Sequence, residues 1–479
     1  EFTVIGMAAY LAGLDWTDVI RPQYYYGYPM SIIYAPIFFI NPLLKYPIIL
    51  YRLCLFINAL LGMLNTWIIY KLLFRLNSNT KTKSVLWLTL IYSLAASSVA
   101  FEKVLTNETL LSLCFNLAIY ISISFVDNCK KRNIINSLIL GAISVLAYVI
   151  NGRGIILFAM ILVLWLIMKI FRKTYYLYIC PYLLSIFGLF LVHFKIKAYY
   201  LGTFFTPTNM NVANSGFDEY IEILIKFFST NGLLALFIAV IGLLYTLTFS
   251  SYGFCIILLF VTIGIFISKK VKRQTRHAYF ESPCNMELYV LIILCFFFIL
   301  LSIGISVVHF GNFFYDMSTK IKGGEIHVNR ADRMFYSRYT STIKPLIIVF
   351  GIYIVEKIEK QYRKKLFLIS FMFIFLLCIL FQAINAPLID NISYASSNSP
   401  ELSIILTNLH EDFKYGTVKA ERFIFTSMII ILTSFYYICY LKDKTKVFKI
   451  CFTCINITMG FLLLTEFLIP RSEYYYNIP

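Results

Sequence analysis

The sequence predicts an all-α fold: a polytopic transmembrane helix bundle of about 12 spans in this fragment, with juxtamembrane helices and outer loops. Three observations carry that expectation. Hydrophobic residues make up 60% of the 479 positions and charged residues only 14%, whereas soluble domains carry roughly 25% charged residues. Apolar runs long enough to cross a bilayer follow one another, with no polar stretch long enough for a separate soluble domain. Basic residues gather in the short connectors between those runs.

The connectors set the sidedness. Six basic clusters occur: Lys71, Arg75, Lys81 and Lys83; Lys130, Lys131 and Arg132; Lys169, Arg172 and Lys173; Lys269, Lys270, Lys272, Arg273 and Arg276; Lys357, Lys360, Arg363, Lys364 and Lys365; Lys442, Lys444, Lys446 and Lys449. Such clusters mark cytoplasmic loops of a cell-membrane protein. The net charge of +18 is therefore a property of topology, and no nucleic-acid partner is expected.

In chain order, residues 1–45 form an extracytoplasmic loop with interfacial helices, and 46–479 form one multi-span membrane domain. The chain opens on Glu1 without an initiator methionine, so a preceding segment is expected. Met30 to Ile40, interrupted by Pro36 and bounded by Pro29 and Pro42, predicts a helix at the outer face that is too short to span, since proline cannot continue a helix. Spans are expected near 46–70, 84–101, 108–126, 134–151, 154–171 and 175–194, and again near 287–309, 343–357, 366–386, 422–441 and 447–470. The outer segments include 195–218, 310–342 and 387–421. Residues 219–268 disturb the alternation, because an outside start and a basic end at Lys269 permit one or three crossings. One span, 253–268, preceded by an interfacial or re-entrant segment around 219–248, is the expected solution.

Residue types with chemical reach concentrate near the outer boundaries. Glu1, Asp15, Asp18, Glu102 and Glu108 are acidic; Arg21, Arg153, Arg330, Arg333 and Arg338 are basic. A charge beside the apolar slab is costly and has a partner or a task. Glu108 opens an apolar run, a place where the helix dipole favours an acid. Arg153, in Asn151-Gly152-Arg153-Gly154, sits in an outer turn against the charge rule, as a snorkelling side chain or an exposed anion clamp. Arg330, Asp332, Arg333, Tyr336, Arg338 and Tyr339 share one outer loop, where arginine forks suit a phosphorylated headgroup and internal Arg/Asp pairing is the plainer alternative. The eleven cysteines sit mostly in apolar runs as small hydrophobes. Cys451-Phe452-Thr453-Cys454 lies in an expected span and reads as helix packing, and the five scattered histidines show no ligand spacing. No structural metal site is expected.

Glu1-Phe2-Thr3, Ala8-Ala9-Tyr10-Leu11-Ala12-Gly13, Asp15-Trp16, Tyr26-Gly27-Tyr28 and Ala35-Pro36 together resemble the first extracytoplasmic loop of bacterial polytopic glycosyltransferases of the GT-C class, relatives of protein O-mannosyltransferases and of the lipid A aminoarabinose transferase. The resemblance extends to Asn151-Gly152-Arg153-Gly154, Arg330-Ala331-Asp332-Arg333 and Tyr336-Ser337-Arg338-Tyr339. It implies sugar transfer from a polyprenyl-phosphate-linked donor to an acceptor at the outer face. Glu1, Asp15 and Glu108 are then the candidate catalytic acids. Arg153, Arg330, Asp332, Arg333, Tyr336, Arg338, Tyr339, Tyr26 and Tyr28 are the candidate substrate-binding residues. That class carries an acidic pair early in its first loop; with Glu1 as second member, the first is expected upstream of this sequence. A divalent metal is used by some such transferases and not by others, and the sequence shows no dedicated ligand set. A secondary transporter or lipid flippase would also explain many spans and outer arginines, but transporters carry internal repeats and broken midplane helices, and no repeat between halves is evident. A surface polysaccharide polymerase or ligase is the other alternative; it would carry one dominant outer loop.

Overall fold

The structure is a computed structural model that describes residues 2–21, 27–40, 47–76, 82–95, 98–99, 105, 107–171, 175–204, 217–271, 286–322, 333, 340, 342–358, 360–388, 420–440 and 445–475. Every regular element among them is helical. Seven described helices are long and apolar enough to cross a membrane: Ile48–Leu76, Lys130–Ile150, Gly152–Ile170, Ile179–Phe204, Thr230–Ser250, Met286–His309 and Tyr362–Leu388. The chain is thus an all-α protein with the helices of a membrane-embedded one. Helix is the only element that lets a segment cross lipid alone, because it satisfies each backbone donor and acceptor internally.

Contacts gather the chain into two compact units, Glu1–Leu86 with Phe101–Gly216, and Trp87–Ala100 with Phe217–Pro479. The first unit begins with α1 (Phe2–Leu11), α2 (Thr17–Ile20) and α3 (Pro29–Phe38). Helix α3 has the expected short length, with Pro29 in its first turn and Pro36 inside. A first-turn proline loses nothing, since that N–H has no intrahelical acceptor. The long helix α4 (Pro47–Leu76) follows, and α5 (Thr82–Leu94) continues into the second unit. Helices α6 (Glu108–Ser124), α7 (Lys130–Ile150), α8 (Ile155–Phe171) and α9 (Ile179–Phe204) complete the first unit. Helix α7 packs against both α6 and α9, and a 3-10 turn at Gly152–Gly154 joins α7 to α8.

The second unit contains α10 (Phe217–Lys226), α11 (Thr230–Ser250), α12 (Phe254–Val271), α13 (Met286–His309) and α14 (Gly311–Lys322). It continues with α15 (Lys344–Lys357), α16 (Lys360–Leu380), α17 (Ala420–Tyr440) and α18 (Thr445–Tyr475). Around residues 219–248 the structure differs from expectation. A short helix, α10, precedes an unbroken 21-residue helix of membrane-crossing length, α11, rather than one interfacial or re-entrant segment. The Ser229 hydroxyl caps α11 by accepting from the Gly232 amide at 3.0 Å, and a tight turn with Tyr252 at φ 51° and Gly253 at φ 83° separates α11 from α12. Counting crossings against basic loops could not register that cap or turn. A π-helical turn, Phe381–Asn385, ends α16. There Phe381 stacks on Tyr245 at 3.7 Å, and the Asn385 amide donates to the Ile238 carbonyl at 3.0 Å.

Candidate functional site

In the first unit, segments far apart in sequence meet at the corner between α7 and α8. Gly27 has φ +86°, and a Cβ there would overlap the carbonyl oxygens of Val149 and Ile150. Only glycine allows both that backbone conformation and so close an approach. Asn107, preceding α6, donates its side-chain amide to the Ile150 carbonyl at 2.9 Å, which satisfies one of the last α7 carbonyls left without an intrahelical donor. The next residue, Glu108, forms an ion pair with Arg153. Both are buried, Glu108 at 1% exposure and Arg153 at 8%.

Local structure aims the arginine. Asn151 Oδ1 accepts from the Arg153 amide at 3.1 Å and from its Nε at 3.0 Å, so one side chain orders the turn and one edge of the guanidinium. The Gly154 amide donates to the Asn151 carbonyl at 2.7 Å, and a Cβ at Gly154 would overlap the Ala147 carbonyl group. Around Gly152 no atom lies within 4 Å of such a Cβ. The two glycines that flank Arg153 therefore differ: the second is required by packing and the first is not. The sequence reads this arginine as a solvent-facing group; the fold buries it against a carboxylate, which satisfies the rule that buried charges are paired.

A polar seam continues from this corner between α4 and α6. The Asn65 amide donates to the carbonyls of Thr109 and Leu61, both at 3.1 Å, and the Asn116 amide donates to Asn65 Oδ1 at 2.5 Å. Farther along α4, Asn58 accepts from the Tyr34 hydroxyl at 2.7 Å. None of these asparagines was singled out from sequence. Their signal was there: Asn58 and Asn65 stand seven apart in an apolar run, on one face of a helix.

Of the other candidates in this unit, Asp15 is exposed. Its Oδ1 accepts from the Thr17 amide at 3.2 Å and from the Thr17 hydroxyl at 2.7 Å, and these bonds hold its carboxyl below the usual carboxylate range. Tyr28 is buried. It stacks on Tyr200 at 5.1 Å, lies 3.3 Å from His193 Nδ1 through its hydroxyl, and its pKa is raised by burial. In the second unit, Arg333 lies with its guanidinium carbon 5.2 Å from the Phe313 ring and 5.5 Å from the Phe310 ring, a cation–π arrangement. Glu1, Tyr26, Arg330, Asp332, Tyr336, Arg338 and Tyr339 lie outside the described residues. Of the candidate residues read from the sequence, then, the fold brings Glu108 and Arg153 into contact.

The second unit also holds a cavity of about 220 Å³ lined by Thr248, Ser250, Ile348, Ile430, Thr433 and Met459 among others. Ser250 and Thr433 turn their hydroxyls to carbonyls of their own helices, those of Thr246 and Ile429, while the Thr248 hydroxyl meets Cys255 Sγ at 3.4 Å and that of Tyr252 donates to Asn456 at 3.4 Å, so its lining is largely apolar. Among the described residues no three of His, Cys, Asp and Glu converge as a metal site would require.

The fold defines an all-α protein with membrane-crossing helices and a buried charged corner. No protein-family model, no curated protein and no solved structure matches the chain.

Proposed function

We propose that the chain is a membrane glycosyltransferase that moves a sugar from a polyprenyl-phosphate-linked donor to an acceptor on the extracytoplasmic face, with about 12 spans and the basic loops on the cytoplasmic side. One observation supports it above the others. Three segments separated in sequence, those holding Gly27, Glu108 and Asn151 to Arg153, converge on one corner, and two of them belong to the motifs that carry the resemblance to GT-C transferases.

The chemistry asked of the residues is specific. A carboxylate takes the proton of the acceptor hydroxyl as its oxygen attacks the anomeric carbon, the bond from that carbon to the phosphate oxygen breaks, and cations offset the charge on the departing polyprenyl phosphate. On the acceptor side the candidates are Glu1 and Asp15, the latter exposed and ionised at neutral pH. Arg153 is engaged with Glu108 and Asn151, so its part is to position Glu108 and close the corner. By residue type, Arg330, Arg333 and Arg338 are the candidates for the leaving phosphate, and Tyr26, Tyr336 and Tyr339 for the sugar. A divalent metal is compatible with this chemistry, and none of these roles depends on it.

The test is transfer of radiolabelled sugar from a panel of polyprenyl-phosphate donors in membranes containing the chain, against Asp15→Asn and Arg333→Ala. Donor-dependent transfer that falls at least about tenfold in both variants, at equal membrane abundance, supports the assignment. Absence of both turnover and donor binding across the panel would shift the function to transport.

A further inference from the structure

Helix α10 and the turn that follows it, which holds Phe227 and Phe228, carry three different stripes. Ile223 and Phe227, one turn apart, are buried. A Cβ on Gly311, the first residue of α14, would overlap the Ile223 side chain and lie 3.3 Å from the Phe227 ring, so this stripe is seated on α14. Glu222 and Lys226 form a 2.9 Å ion pair along a second stripe, and Lys226 also donates to Asn312 at 3.2 Å. The third stripe is Ile221, Leu224, Ile225 and Phe228, exposed by 41%, 48%, 65% and 87%. Their spacing of i, i+3, i+4 and i+7 places them on one face, away from the α14 contact.

Four large apolar side chains in a row, left in water, would forgo about 25 cal/mol for each Å² of apolar surface that could be covered. We propose that the stripe of Ile221, Leu224, Ile225 and Phe228 docks into the boundary layer of the lipid bilayer, making α10 and α14 a helix pair that lies in the membrane interface.

Three features of the molecule favour lipid over another protein as occupant. At 1.5 Å per residue α10 is about 15 Å long, half of the roughly 30 Å hydrocarbon core, so it lies along the surface rather than crossing. Ser229 alone separates Phe228 from the first residue of α11, a helix of membrane-crossing length. Leu233 and Phe237, near the start of α11, are exposed apolar side chains as well. Finally, Glu222 and Lys226 pair with each other on a face separate from the apolar stripe, so α10 is amphipathic. An apolar face set apart from a charged one is the pattern of a helix that lies in the membrane interface.

The test replaces Ile225 or Phe228, separately, with photoreactive p-benzoylphenylalanine in cell membranes, with the same group at Glu222 as reference. Both positions are exposed, so the bulkier ring leaves the fold intact. After irradiation the intact protein is weighed. The expected result is lipid-mass adducts at 225 and 228, at least about fivefold more abundant than at 222. Covalent dimers at either position would instead make this face a contact between copies, and no excess of lipid adducts at either position would place it in water; either result overturns the proposal. The readout requires no catalysis, so it stands or falls separately from the transferase function.

Discussion

Arg153 closes on Glu108 from the turn between α7 and α8, and both charges are shut away from solvent. Removing one partner of such a pair leaves the other buried and uncompensated, at a cost of about 3–5 kcal/mol. Glu108→Gln and Arg153→Met should each lower the thermal unfolding midpoint of the purified protein in detergent. The double variant should recover part of the loss, since a neutral pair removes both desolvation penalties. A loss in the double variant equal to the sum of the two single losses would show that the two side chains act independently.

Within one four-residue motif the two glycines should respond differently. Gly154→Ala brings a methyl group into the Ala147 carbonyl, and overpacking of that kind costs about 1–3 kcal/mol. Gly152→Ala meets open space and should leave the stability within about 0.5 kcal/mol of the parent. Gly27→Ala combines a left-handed backbone with a clash against Val149 and Ile150, so it should cost at least as much as Gly154→Ala. Thermal unfolding followed by intrinsic fluorescence reads all three.

The Asn116 to Asn65 bond crosses between two helices that face each other in the first unit. A double-mutant cycle with Asn65→Ala and Asn116→Ala should return a coupling of about 0.6 kcal/mol, with about 1.7 as an upper bound, the range found for hydrogen bonds between membrane helices. Unfolding of the four proteins in mixed micelles measures it, and a coupling indistinguishable from zero would remove the bond as a stabilising link.

Asp15 gives a pH dependence of known sign. The Thr17 hydroxyl and amide both donate to its carboxylate and lower its pKa in the folded chain. A depressed folded pKa contributes stability that is complete above the unfolded value, about 3.9, and is lost as pH falls below it through the folded pKa. Hydrogen exchange at the Thr17 amide, corrected for intrinsic rate, should therefore accelerate below about pH 4. Thr17→Val removes the stronger donor and should shift that acceleration to higher pH.

Much of the helical layout is legible along the chain, because hydropathy and proline placement are local properties. Pro29 and Pro36 announce a short helix, and α3 is one. The apolar runs beginning near 46, 134 and 287 appear as α4, α7 and α13. The region 219–248 resisted because its division into α10 and α11 depends on the Ser229 cap and on Ile223 and Phe227 finding α14, and α14 lies more than 80 residues on.

At the corner, the sequence singled out Glu108 and Arg153 as separate charges near a membrane boundary, one acid and one clamp. It could not join them, since 45 residues of chain separate the two and neither hydropathy nor periodicity specifies which helices pack side by side. Asn107 and Asn65 escaped for the same reason: an asparagine beside or within an apolar run reads as a cost until its partner carbonyl is known. The amino-acid order by itself determined an all-α chain rich in membrane-length helices, through composition and the length of its apolar runs. Tertiary structure alone decided that Arg153 turns inward to Glu108, because a charge beside lipid adopts whatever pairing its neighbouring helices bring within reach.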